Sequence, residues 1–277
     1  MIETGLQREV QGGGVAGSAE FGLSDFSTFR LWVDAEPRSG VANMAIDQAM
    51  LDAAEAGGTL FRIYRWEPYC LSFGRNEPAL RRYDRARIES LGLDVVRRPT
   101  GGRAVWHADE LTYAIAAPAS ILGDLRAAYR RIHEMLALAI ASLGASPVLA
   151  AAPDGGIPLE RGACFAAPAG GEILLPGGKV VGSAQVRQGN AMLQHGSVLL
   201  SGSQEPVQAV TDGPPPPAGD STLSRELGRS VGFGHVAEAI IRAASPARIA
   251  SGPPEGILAA AAAHELQFGS ADWTWRR

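Results

Sequence analysis

The chain has 277 residues, 46% of them hydrophobic, enough to bury one sizeable core. Its formal net charge of −4 excludes a general electrostatic attraction to nucleic acid, and its two cysteines, Cys70 and Cys164, exclude a disulfide framework or a multi-cysteine zinc site. No apolar run is long enough to span a bilayer, and the first 28 residues lack the basic start and apolar segment of a signal peptide, so a reducing, cytoplasmic setting is expected.

In chain order, residues 1–28, with Gly12-Gly13-Gly14, read as a flexible arm. Arg30-Leu31-Trp32-Val33 is a short strand, and Val41 to Glu55 has helical spacing with Gly57-Gly58 as its stop. Leu60 to Trp66 and Cys70 to Phe73 are strands. Pro78 is placed as the first residue of one helix running through Ile88, ended by Gly92. Val95-Val96 is a strand feeding the loop Arg97-Arg98-Pro99-Thr100-Gly101-Gly102-Arg103. Leu111 to Ala116 is a strand, and Leu125 to Leu143 is the longest helix. Glu172 to Leu175, Lys179 to Val186 and Met192 to Leu200 form strands, with Gly177-Gly178 and Gly189-Asn190 suited to hairpin turns. Four consecutive prolines exclude regular structure from Asp212 to Asp220, and the remainder reads as helical. Hairpin-linked strands mixed with a few helices predict an α+β domain over residues 29–203. Residues 204–277 then form a proline-rich segment and a helical extension packing on the same domain.

Lys179 is compositionally isolated: of the 25 lysines and arginines, every other one is arginine. Lysine, unlike arginine, is a compact ammonium whose pKa can be moved. It enters a strand that loses its side chains at Gly182, Ser183 and Ala184, the pattern expected where a ligand or another backbone comes close. Lys179 there suits donation to a developing oxyanion, against the plainer alternative of an exposed hairpin lysine. Arg98 to Arg103 is a tight loop whose backbone amides can approach a ligand, though spacing alone favours a glycine turn with solvated arginines. Gln194-His195-Gly196, on the next strand, lets His195 reach the same pocket as a lining residue. His107 shares that ambiguity, and His133 reads as a helix-surface residue. Cys70 sits in an apolar strand as a small buried hydrophobe. Cys164 follows a glycine-rich loop; its thiolate could serve as a nucleophile, or the residue has no role, and spacing does not decide between them.

Together these pieces resemble the biotin/lipoate protein ligase and octanoyltransferase family over roughly Arg30 to Leu200. The matching segments are Asn43-Met44-Ala45-Ile46-Asp47, Ser72-Phe73-Gly74-Arg75-Asn76, Arg97 to His107, Asp109-Glu110-Leu111-Thr112-Tyr113, Gly178 to Gln185 and Gln194-His195-Gly196. Each is modest alone; the ordered set is specific. Ala163-Cys164-Phe165-Ala166-Ala167-Pro168 looks like the cysteine loop of the family's LipM-type transferases, while Ala169-Gly170-Gly171-Glu172-Ile173 departs from the bulkier stretch usual after that proline.

The resemblance implies the biotin/lipoate protein ligase catalytic-domain fold, a mixed, largely antiparallel sheet flanked by helices. It also implies transfer of octanoyl from acyl carrier protein, through an acyl-cysteine at Cys164, to a lysine of a lipoyl domain on a glycine cleavage H protein or a 2-oxoacid dehydrogenase E2. Lys179 then polarises the carbonyl. Arg75, Arg98, Gly101, Gly102, Arg103, His107, Gly182, Ser183, Ala184, His195 and Gly196 surround the substrate. The transferase needs no cofactor and no metal. ATP and Mg belong to the alternative, an ATP-dependent lipoate ligase; exchange of octanoyl between lipoyl domains is a further reading. No nucleic acid, no membrane and a monomer are expected.

Overall fold

Residues 26–150, 171–212 and 221–276 are described by the computed structural model. In chain order the elements are β1 Arg30–Val33, α1 Gly40–Glu55, β2 Leu60–Tyr64, β3 Cys70–Phe73, α2 Ala79–Arg82, α3 Arg85–Ser90, β4 Asp94–Arg97, β5 Val105–His107, β6 Glu110–Pro118, α4 Ala119–Leu122, α5 Leu125–Ser142, β7 Val148–Leu149, β8 Ile173–Leu175, β9 Gly178–Gln188, β10 Ala191–Leu199, α6 Glu205–Ala209, α7 Leu223–Leu227, α8 Phe233–Ala243, β11 Arg248–Ala250, α9 Ile257–Phe268 and α10 Ala271–Thr274.

The strands build an eight-stranded sheet, β11-β1-β2-β6-β10-β9-β8-β7, and a three-stranded sheet, β4-β3-β5. β1 is parallel to β2 and β11; β2, β6, β10, β9, β8 and β7 pair antiparallel in turn. The fold is α+β, with a mixed and largely antiparallel main sheet. Strand alternation splits the core in two, because successive side chains leave opposite faces. Leu111, Tyr113, Ile115 and Ala117 of β6 pack with α5 and α8. Ala114 and Ala116 of the same strand pack with α1 and α9.

Four sequence expectations change. Phe26, assigned to the N-terminal arm, is buried in the core against Phe29 and Phe61. The helix expected from Pro78 to Ile88 is two helices. Tyr83 turns extended (φ −126°, ψ 133°), Asp84 starts a second helix by accepting from Arg87 N, and Pro78 caps the first helix from outside it. The C-terminal extension is not wholly helical, because β11 adds an edge strand beside β1 in register Arg30↔Arg248. Finally, β5, β7 and several short helices carry too few residues for periodicity to mark them. The C-terminal helices share the main core, with Leu223, Val236 and Ile240 packing in the same apolar cluster as Tyr113. Residues 1–25 and most of the proline-rich segment lie outside the described residues.

Candidate active site

β6, β10 and β9 run side by side, with Thr112 opposite Ser197 and Ala184 opposite His195. On the α1 face they floor a cavity open to solvent, about 320 Å³ when the open space at its mouth is counted. Met44, Tyr64 and Trp66 supply apolar wall; Arg98, His107, Thr112, His195 and Ser197 supply polar wall; Gly182, Ser183, Ala184 and Gly196 leave room. A Cβ on Gly196 would lie 2.5 Å from Gly182 O and would overlap Ser183 Oγ, so only glycine fits there.

A buried network fixes the polar wall. Arg62 is fully enclosed and donates to Asp34, to Asn43 Oδ1 at 2.7 Å and to Asp47 at 3.3 Å. Asn43 and Asp47 stand one helical turn apart, which puts both on the face of α1 that meets β2. Asp47 Oδ2 also takes the Tyr64 hydroxyl at 2.9 Å and His195 Nδ1 at 2.8 Å. Burial holds the His195 imidazole below its ordinary pKa, against the opposing pull of Asp47. The neutral ring therefore donates from Nδ1 to Asp47 and accepts the Thr100 hydroxyl at Nε2, 2.6 Å away.

A second chain runs through the arginine loop. Arg98 Nη1 donates to Ser72 Oγ (2.6 Å) and to Ser72 O (2.9 Å), while Nη2 donates to the carbonyls of Gly101 and Arg103. Ser72 Oγ is then free to donate to His107 Nε2 at 2.6 Å, and His107 Nδ1 donates to Glu110 Oε1 at 2.7 Å. Thr112 and Ser197 converge on that same Glu110 oxygen, and His107 stacks on Trp66 with centroids 4.0 Å apart.

Lys179 is 1% exposed, which removes the exposed-lysine alternative, and its Nζ donates to Glu172 Oε1 at 2.6 Å. It does not line the cavity. His133, expected on the surface of its helix, is fully buried beside it. Burial and, further down the order of causes, the neighbouring Lys179 charge push the His133 pKa down to about 3. Its neutral ring donates from Nδ1 to Gly171 O (2.6 Å) and accepts Ser183 Oγ at Nε2 (2.8 Å). Ser183 in turn takes the Tyr113 hydroxyl at 2.6 Å, and Tyr113 takes Gln194 at 2.8 Å.

Of the residues expected at the site, Arg98, His107, Gly182, Ser183, Ala184, His195 and Gly196 come together around the cavity. Arg98 is a buried brace for the loop, not the solvated arginine that spacing favoured. Gly101 and Gly102 are not among the lining residues; Gly102 has φ +90°, and a Cβ there would sit 3.8 Å from Ala184. Arg103 is buried and contributes its carbonyl. Arg75 has an exposed side chain outside the cavity lining, and its backbone N bonds Thr100 O of the arginine loop at 2.7 Å. Cys164 lies outside the described residues. Cys70 is fully buried, and burial raises its thiol well above the ordinary range. Sequence reasoning missed Asp47, Thr100, Ser72 and Glu110 as partners. The readable signal was a charge inside an apolar run: Asp47 within α1 and Arg62 within β2. Among the described residues no three or more His, Cys, Asp or Glu side chains are grouped to hold a metal ion, and no helix is long and apolar enough to cross a membrane.

The architecture is that of the lipoate-protein ligases. Lipoate-protein ligase A bound with ATP superposes with a TM-score of 0.75 at 19% identity, over 90% of this chain and 98% of that one. The bi-partite lipoate protein ligase of Thermoplasma acidophilum superposes at 0.67 and 18% identity, over 90% and 96%. Residues 39–245 match the lipoyl protein ligase A/B catalytic domain, and the chain belongs to that family. Octanoyltransferase LipM of Moorella thermoacetica is 34% identical over 270 residues, covering 90% of this chain and 98% of that protein. Octanoyltransferase LipM of Carboxydothermus hydrogenoformans is 40% identical over 168 residues, 58% of this chain and 61% of its own length.

Proposed function

We propose that this protein moves an octanoyl group from acyl carrier protein to a lysine of a lipoyl domain, as a step of lipoate biosynthesis in the cytoplasm. The observation that carries this reading is the identity to octanoyltransferase LipM of M. thermoacetica across almost all of that protein. Likeness to ATP-bound ligase structures rests on 19% identity and supports the fold alone.

In the first step the Cys164 thiolate attacks the octanoyl thioester. A new carbon–sulfur bond forms to Cys164, the bond to the carrier breaks, and the carrier thiolate leaves and takes up a proton. Exchange between two sulfurs of similar leaving ability needs no activating cofactor. In the second step the neutral amine of the acceptor lysine attacks the acyl-enzyme. The amide bond forms, the bond to Cys164 breaks, and the departing thiolate recovers the proton released by nitrogen. Lys179 supplies positive charge for the developing oxyanion of both steps. Lys179 lies within the residues matched to the family's catalytic domain, which supports that role; it stands outside the cavity lining and pairs with Glu172. The alkyl chain occupies the cavity between Met44, Tyr64, Trp66 and the small residues of β9.

The test is incubation with octanoyl-acyl carrier protein in the absence of ATP, followed by intact mass. The expected result is a single octanoyl adduct on the wild type and none on Cys164→Ala. Absence of any adduct, or an adduct that survives Cys164→Ala, overturns the acyl-cysteine. A strict need for ATP and free acid replaces the transferase with a ligase.

A further inference from the structure

The cavity and a larger groove lie end to end on one face of the sheet. On β10 and β6, the opposed pair Ser197 and Thr112 lines the cavity. The next pair on that face, Leu199 and Glu110, lines the groove. Two residues of strand advance about 7 Å, so the partition is a single layer of side chains. Its apolar part is Val105, on the cavity side, packed against Leu199, on the groove side; the two form a cluster of their own, apart from the main cores. Behind them the groove opens to about 1030 Å³ including solvent, with Leu93 and Trp106 among its lining. Other apolar walls of the cavity belong to Met44, Tyr64 and Trp66, which pack in the main core under α1. The remaining walls carry the His195–Asp47 and Arg98–Ser72–His107 chains, which an alkyl terminus cannot enter without breaking buried hydrogen bonds.

We infer that the Val105–Leu199 pair is the stop that sets acyl-chain length, a thin apolar wall with empty space behind it. This rests on the reading that the cavity takes the octanoyl chain. A terminal methyl meets Val105, and two further carbons have nowhere to go while Leu199 backs it. Removing either side chain joins cavity to groove and admits a longer chain; enlarging Val105 shortens the chain accepted.

The test measures acylation of the wild type, Leu199→Ala, Val105→Ala and Val105→Leu by hexanoyl-, octanoyl-, decanoyl- and dodecanoyl-acyl carrier protein, read by intact mass against time. Refusal of one methylene by an apolar pocket is worth roughly 10–200-fold, so the wild type should prefer octanoyl over decanoyl by at least about ten-fold. In Leu199→Ala and Val105→Ala that ratio should fall by roughly ten-fold, and in Val105→Leu preference should move toward hexanoyl. The readout is a ratio between donors within one variant, so partial loss of folded protein cancels. An unchanged ratio in all three variants, with a wild type that takes octanoyl, overturns the gate and leaves the transferase reading standing. A wild type that takes no acyl group from any donor overturns both.

Discussion

His133 shows how much a single buried ring can determine. Its helix reads LRAAYRRIHEMLALAIAS, and position 133 falls between Ile132 and Glu134, two residues after Arg131. Gly171 and Ser183 cover that position from outside the helix, so the apolar stripe of α5 alone could not reveal the burial. The consequence is measurable through pH. The folded ring stays neutral down to about pH 3, whereas an unfolded histidine takes a proton near pH 6.5. Between those values the unfolded state binds more protons, so stability is full above pH 6.5 and falls as pH drops, by up to about 1.4 kcal/mol per unit for one site. His195, also depressed, adds to the same slope. Urea midpoints of His133→Asn should therefore fall less steeply than wild type from pH 6.5 to 4; parallel slopes would show that the ring is not held neutral. Lys179 is the complementary case. Composition singled it out, and its burial with Glu172 gives it a fixed position. Lys179→Ala leaves Glu172 with one fewer partner in a buried place, so loss of acyl transfer should come with about 3 kcal/mol of destabilisation. A circular-dichroism melt beside the transfer assay separates the two effects.

At the scale of elements, most of the sheet was legible because β2, β6, β9 and β10 are long enough for apolar runs and glycine turns to show. The strand of small residues was readable for the same reason: Gly182, Ser183 and Ala184 interrupt an otherwise bulky strand, and they floor the cavity. What sequence could not give was pairing across the chain. Thr100 meets His195 from a loop 95 residues away, and Asp47 meets His195 from a helix 148 residues away. Such contacts follow from strand order, which local pattern does not encode. Gly196 belongs to the same interlock, since β9 and β10 approach too closely there for any side chain. Gly196→Ala should cost about 1–3 kcal/mol by overpacking, seen as a lower urea midpoint with an unchanged slope. Wild-type stability in that variant would show that β9 yields easily.

Across the whole molecule, the C-terminal residues are tied to the loop region through one fully buried guanidinium. Arg97 donates to the carbonyls of Gly74 (2.6 Å) and Glu77 (2.8 Å), and to those of Thr274 (3.0 Å) and Arg276 (2.9 Å). Trp273 Nε1 returns a bond to Arg97 O at 2.9 Å. A lysine has one nitrogen and cannot serve so many carbonyls in a plane. Arg97→Lys should cost about 3 kcal/mol and lower the melting temperature by roughly 6–12 °C; a melt within a degree of wild type would show that the tail is only resting there. β11 binds the ends of the fold together in another way. It completes the main sheet beside β1, one of the first strands made, so the native edge cannot form until synthesis has passed residue 250. Until then the outer edge of β1 stays open to solvent, the exposure that invites strand pairing between adjacent copies. For this protein, slower translation lengthens the wait for the last strand, and the yield of correctly closed molecules becomes a race between β11 and a neighbour's strand.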